Sequence, residues 1–210
     1  MSATTPTIFI VDDDPAVLKS LGRLLRSARL DFAAFSSPAE FLQQHDPAAP
    51  GCLVLDVAMP GLNGLELQAA LAEKGCAIPI IFLTGHGDIP MSVQAMKRGA
   101  LDFLTKPVND EDLLQAVHDA LELDRVARRA KAELGDLQAR FDSLTPRERE
   151  VFVHVVAGQL NKQIAADLGT VEKTIKVHRA RVMEKMGVDS LADLVRAAER
   201  LGLGDRPPSP

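Results

Sequence analysis

The chain has 210 residues, enough for two modest domains, and its 24 Lys and Arg against 29 Asp and Glu leave a net charge of −5. That mixture excludes a wholesale polyanion binder, and neither an 18-residue apolar stretch nor a basic start with an apolar core indicates a membrane span or a secretion signal. Cys52 and Cys76 lack metal-type spacing and the five histidines form no His-x-x-x-His pair, which points to free thiols in a reducing cytoplasm.

The first apolar run, residues 7–11, ends in Asp12, Asp13, Asp14 and Pro15. A short, β-branched run of this kind reads as a strand buried on both faces. Asp14 followed by Pro15 suits a helix N-cap, but three adjacent carboxylates repel one another unless a hard cation offsets them. Further strand-like runs follow at 31–35, 52–55, 79–83 and 101–104, separated by helical spacings such as Val17, Leu21, Leu24 and Leu25. A fifth helix begins near Asn109. Five βα units with short loops predict an α/β fold: a doubly wound, five-stranded parallel sheet covered by helices on both faces.

In such a sheet ligands bind beyond the carboxyl ends of the strands. With strand order 2-1-3-4-5, Asp12 and Asp13 after strand one, Asp56 after strand three, Thr84 after strand four and Lys106 after strand five would converge. This set permits phosphoryl transfer to a carboxylate: Asp56 as nucleophile, Mg²⁺ on the carboxylates, and Lys106 and Thr84 on the phosphoryl oxygens. The side chains two beyond Asp56 and two beyond Thr84, Ala58 and His86, are placed to touch a hydrolytic water, and alanine cannot orient one.

Residues 123 to 141 keep apolar positions at helical spacing (Leu123, Val126, Ala130, Leu134, Leu137, Phe141), consistent with a helical linker that Gly135 weakens by about 1 kcal/mol. The last part of the chain is basic relative to the rest: residues 143 to 200 carry 10 Lys and Arg against 8 Asp and Glu. It opens on Thr145-Pro146-Arg147-Glu148, a capping box with proline at the first helical position. That helix should end near Gly158. Asn161 is a candidate cap for a second short helix that stops at Gly169. A basic third helix is expected from Thr174 to Met186, ended by Gly187, and Ser190 starts a fourth. A short helix, a tight turn and a second helix make a helix-turn-helix pattern, whose Lys and Arg can reach phosphates and guanine edges while Val177 suits a thymine methyl.

Residues 6 to 124 resemble the receiver domain of a two-component response regulator through VDDDP, LVLDVAMPGLNG, IIFLTGHGD and GALDFLTKP, and TGHGDIPMSVQAMKRGA is most similar to FixJ-type regulators. The resemblance implies a flavodoxin-like fold and phosphorylation of Asp56 by a histidine kinase. It also implies Mg²⁺ on Asp12, Asp13, Asp56 and the backbone carbonyl of Ala58, a cis Lys106-Pro107 peptide, and Thr84 and Phe103 as the switch pair. Dimerisation would use the fourth helix and fifth strand, Asp88 to Leu104. Residues 143 to 204, through LTPRERE, NKQIAADL and KTIKVHRARVMEKM, are similar to LuxR/NarL-type DNA-binding domains, with residues 125 to 142 as linker. That likeness implies Lys173, Thr174, Lys176, Val177, Arg179 and Arg181 facing double-stranded DNA, with RNA polymerase as a further partner. One departure stands out: Thr170-Val171 replaces the usual Ile-Ser, so the recognition helix loses a serine cap. An enzyme of the haloacid dehalogenase type would want an acid two residues beyond the nucleophile, where this chain has Ala58; an output unit that binds RNA or protein is the other alternative. The expected function is a phosphorylation-activated transcription regulator, not an enzyme.

Overall fold

The structure, a computed structural model, describes residues 5–85 and 95–203. The chain forms two compact units, residues 1–128 and 129–210.

In the first unit β1 (Thr7–Val11), β2 (Phe32–Phe35), β3 (Gly51–Asp56), β4 (Ile80–Thr84) and β5 (Asp102–Thr105) form one sheet in the order β2-β1-β3-β4-β5, with every pair parallel. The expected doubly wound architecture is therefore present. β3 and β4 are buried along their whole length, which is why their sequences are continuous apolar runs rather than alternating ones. One face packs Phe9, Leu53, Leu55 and Phe82 against Phe41 of α2 (Pro38–Gln44) and Leu67 and Leu71 of α3 (Gly64–Glu73). The other packs Ile8, Ile10, Val54 and Ile81 against Leu21 and Leu25 of α1 (Pro15–Ser27) and Leu113, Val117 and Ala120 of α4 (Asp110–Asp142). The two sets alternate along each strand, as period-two geometry requires. The helix expected after Asp88 falls largely on residues 86–94, outside the described residues; residues 95–97 are helical.

Local signals account for most helix starts. Asp14 caps α1 by accepting the Ala16 N–H at 2.8 Å, with Pro15 first in the helix. Asn63 and Glu66 form a reciprocal capping box on α3. α4 runs without a break through Gly135, where an added Cβ would meet nothing. Asp124 and Arg128 anchor that helix within the first unit. The Asp124 carboxylate accepts the Gly51 N–H at 3.0 Å, and the Arg128 guanidinium pairs with it and donates to the Ala48 and Ala49 carbonyls. Cys52, fully buried beside Asp124, has its thiol pushed up to about 12 by burial and by that carboxylate.

The second unit packs α5 (Pro146–Val156), α6 (Asn161–Asp167), α7 (Glu172–Met186) and α8 (Leu191–Arg200) around Val151, Phe152, Ile164, Ile175, Val182, Met186 and Leu194. Leu137 and Phe141 of α4 pack on this core. The Thr145–Glu148 capping box forms as expected, and Gly187 ends α7 in the left-handed region at φ 65°. Two expectations change. Asn161 is the first residue of α6 and not its cap: Leu160 occupies the cap position, the Gln163 side chain accepts the Leu160 N–H at 2.8 Å, and the Asn161 amide oxygen instead accepts from Arg179. α7 begins at Glu172, two residues before Thr174, with Val171 as a cap that supplies no side-chain hydrogen bond. Thr170 therefore does not replace the missing serine.

Candidate functional site

The three aspartates that follow β1 have three different surroundings. Asp12 is fully buried, Asp13 is exposed, and Asp14 is spent on capping α1. Asp12 is held by its own turn, since its Oδ1 accepts the Asp14 N–H at 2.9 Å. Asp56, the last residue of β3, is 4% exposed. One carboxylate oxygen from each of Asp12, Asp13 and Asp56 lies within 4.8 Å of the others. The parallel pairing of β1 with β3 produces this, because it aligns the carboxyl ends of adjacent strands.

Lys106 closes the cluster from the far side. Its Nζ lies 2.6 Å from Asp12 Oδ2 and 2.8 Å from Asp56 Oδ1, so one ammonium bridges two buried carboxylates. The Lys106 N–H donates to the Thr84 carbonyl at 2.6 Å, which fixes where the side chain departs after β5. The Lys106-Pro107 peptide is cis. Burial pushes the Asp56 carboxyl above its ordinary range; Lys106 opposes this, while Asp12 and Asp13 add to it. For Lys106 burial works against the charge, but its hydrogen bonds to Asp12 and Asp56 and their negative charge outweigh it and raise the ammonium's pKa. Three carboxylates against one ammonium leave the cluster net negative. Hard oxygen donors this close together, with Asp56 raised, are a donor set that suits a divalent cation.

Thr84 ends β4, is 5% exposed, and pairs in register with Thr105. Phe103 is half-buried on β5, its ring 6.1 Å from that of Phe82. Ala58 is exposed, two residues beyond Asp56; His86 lies outside the described residues, as do residues 88–94 of the expected dimerisation stretch.

One contributor to this site carries no reactive group. Gly64 opens α3 directly beneath the end of β3, where an added Cβ would lie 2.4 Å from the Asp56 carbonyl oxygen and 3.1 Å from both Val57 Cα and the Phe82 ring. Its N–H donates to the Val57 carbonyl at 3.1 Å. The sequence did carry a signal: glycine is a poor helix former, and one placed just after a good cap implies a close approach.

In the second unit α7 turns its Ile175, Val182 and Met186 inward, all fully buried, with Met183 half-buried beside them. At 3.6 residues per turn this leaves Lys173, Lys176, Val177 and Arg181 on the exposed side, and all four are exposed. Lys176 reaches back to Glu172 at 3.2 Å. Thr174 is half-buried at the flank. Arg179 is not on that face: it is half-buried and donates to Asn161 at 3.3 Å, bracing α7 against the start of α6. Among the described residues no helix is long and apolar enough to cross a membrane.

Comparison with known proteins bears on both units. The family described as response regulator receiver domain matches residues 8–118, and that described as bacterial regulatory proteins, luxR family, matches residues 142–198. The chain is 50% identical over 202 residues to nodulation protein W of Bradyrhizobium diazoefficiens, covering 96% of this chain and 89% of that protein. It is 42% identical over 196 residues to the transcriptional regulatory protein FixJ of the same organism, covering 93% and 96%. Among solved structures, the response regulator StyR superposes with a TM-score of 0.87 at 46% identity, over 93% of this chain and 99% of that one. Full-length FixJ from B. japonicum gives 0.58 at 42%, over 96% and 99%.

Proposed function

Because the chain belongs to the response-regulator family, joining a receiver domain to a LuxR-type DNA-binding domain, we propose that it is a transcription regulator switched by phosphoryl transfer to Asp56. The family implies a histidine kinase and DNA as partners and a regulator rather than a classical enzyme. The observation that carries the assignment of Asp56 is the bridge that Lys106 makes between it and Asp12.

The Asp56 oxygen forms the new O–P bond as the phosphohistidine N–P bond breaks, and the histidine nitrogen keeps the electron pair. Asp12, Asp13, Asp56 and the Ala58 carbonyl would hold Mg²⁺, which supplies charge neutralisation around the transferring group. Lys106 releases its hydrogen bond to Asp56 and follows the phosphoryl oxygens, remaining anchored by Asp12 at 2.6 Å. The Thr84 hydroxyl at the end of β4 and the Phe103 ring on the adjacent β5 then respond to the new group. The readout is dimerisation through the fifth-strand region, residues 95–104 and the stretch before it. Paired output units then bind two half-sites through Lys173, Lys176, Val177 and Arg181, with Arg179 as brace and Thr174 at the flank. RNA polymerase would be engaged from DNA. The free thiols Cys52 and Cys76 suit a cytoplasmic location.

The test is labelling of the purified chain by a small-molecule phosphodonor with Mg²⁺. One phosphoryl group per chain is expected, lost in Asp56→Asn; labelling of that variant at the wild-type rate would refute the assignment.

A further inference from the structure

The buried face of α3 carries Gly64, Leu67, Gln68 and Leu71, so one polar side chain occupies a core position among apolar ones. Gln68 is 5% exposed, and its Nε2 donates to the carbonyls of Ala95 (3.4 Å) and Arg98 (3.3 Å), at the end of the helical residues 95–97. Both partners only accept, so the amide cannot be turned around, and Oε1 is left as a buried acceptor with no hydrogen-bond partner. The two bonds are longer than the usual length of about 2.9–3.0 Å, and the stranded oxygen offsets part of what they contribute. An apolar side chain of this size would strand no acceptor. We infer, on the reading of Asp56 as the switched residue, that Gln68 is a positioning residue for the dimerisation region: it holds the turn at residues 95–100 where the unphosphorylated receiver keeps it, with a grip weak enough for phosphorylation to break.

Two features make this turn the moving part. Ala95 and Ala100 are buried and fix its ends, whereas Met96, Lys97, Arg98 and Gly99 between them are exposed. Its backbone bonds are internal: the Arg98 and Ala100 N–H groups donate to the Ala95 carbonyl, both at 3.1 Å, and the Gly99 N–H to the Met96 carbonyl at 3.0 Å. Among the described residues, Gln68 supplies the only hydrogen bonds that reach the turn from another element. A cleft of about 360 Å³ lined by Gln68, Ala72, Arg98 and Gly99 runs beside it, so packing does not immobilise the turn on that side. A displacement of about 1 Å takes both bonds beyond hydrogen-bond reach. Gln68 therefore stabilises the undisplaced arrangement alone, and what stabilises one of two states opposes the other. Because β5 follows the turn directly, a shift there is passed to residues 95–104, the region through which dimerisation is proposed.

Gln68→Glu tests the hold most directly, since it keeps the shape, removes both donors and sets a carboxylate against two carbonyls. Sedimentation of the full-length chain, with and without a small-molecule phosphodonor and Mg²⁺, measures dimerisation. Without phosphodonor the variant should dimerise about tenfold more tightly than wild type, the loss of about one net hydrogen bond, and with phosphodonor the two should agree within about twofold. A residue that only stabilised the fold would not tighten one form selectively. In the isotope-labelled wild type the Gln68 side-chain amide resonances, assigned by their loss in Gln68→Met, should shift and lose exchange protection on phosphorylation. Unphosphorylated Gln68→Glu that dimerises no more tightly than wild type, or equal tightening of both forms, would overturn the proposal. So would unchanged Gln68 resonances in a wild-type chain that is labelled on Asp56 and dimerises. A chain that takes no label on Asp56 overturns that reading first, and the role of Gln68 with it.

Discussion

Gly64→Ala places a single methyl group where the receiver has no room for one. The Cβ would lie 2.4 Å from the Asp56 carbonyl oxygen, while ordinary van der Waals contact begins at 3.4 Å, so the neighbours must part by about 1 Å. Those neighbours are backbone: the Asp56 carbonyl and Val57 Cα, at the end of a strand paired on both sides. Neither can rotate away, so α3 must retreat or the end of β3 must bend. Overpacking of this kind costs about 2–3 kcal/mol. For a unit of 128 residues that lowers the melting temperature by about 10 °C. Because the displaced carbonyl belongs to the proposed acceptor residue itself, labelling of Asp56 should slow by about tenfold or more, as misplacement by about 1 Å commonly does. Gly61→Ala is the control: its φ of 78° makes alanine strained there, but no atom lies within 4 Å of the added Cβ. It should cost about 1 kcal/mol and leave the labelling rate unchanged. Calorimetry and a timed phosphodonor assay measure both quantities. A Gly64→Ala protein that melts within a degree of wild type and labels as fast would refute the argument.

Ala58→Asn should shorten the life of the phosphorylated chain by at least about tenfold, because the alanine now at this exposed position offers nothing to orient a hydrolytic water; decay of purified phosphoprotein in Mg²⁺ buffer measures it. Lys176→Ala and Arg181→Ala should each weaken DNA binding by about 1–3 kcal/mol and reduce the salt slope by about one per phosphate contact, with Asp56 labelling intact; unchanged binding across a salt titration would remove both from the interface. Glu148 is held at about 2 by its hydrogen bond to Lys185, 2.6 Å away, and by the Thr145 N–H. Its folded-state pKa lies below the ordinary 4.5, so its stabilisation is complete above that value and disappears as pH falls from 4.5 towards 2. Lys185→Ala should destabilise the second unit by about 1–2 kcal/mol at neutral pH and flatten that acid limb, measured by urea unfolding of the second unit as a function of pH.

Short-range features of this protein were determined by the sequence alone. Buried strands appear as continuous apolar runs because a strand covered on both faces has no polar side to alternate with. The starts of α1 and α5 are legible because a cap and its proline lie within one turn of each other, and α7 stops at Gly187 because φ 65° suits glycine. The convergence of Asp12, Asp56, Thr84 and Lys106 could be inferred once the strand order was known, since parallel strands bring their carboxyl ends to one edge. Tertiary structure decided what those rules leave open. Which of three adjacent aspartates is buried depends on Lys106, ninety-four residues away. Asp124, the last residue of the expected receiver, and Arg128, in the expected linker, are spent on Gly51 at the start of β3 and on Ala48 and Ala49 before it, more than seventy residues earlier. Arg179 belongs to the basic helix by composition, yet Asn161 draws it off the exposed face and so also loses its own role as a cap. In each case the residue type restricts the possible partners, but only the folded chain brings one partner within hydrogen-bond reach, because these bonds depend on ångström distances between segments that local propensity does not relate.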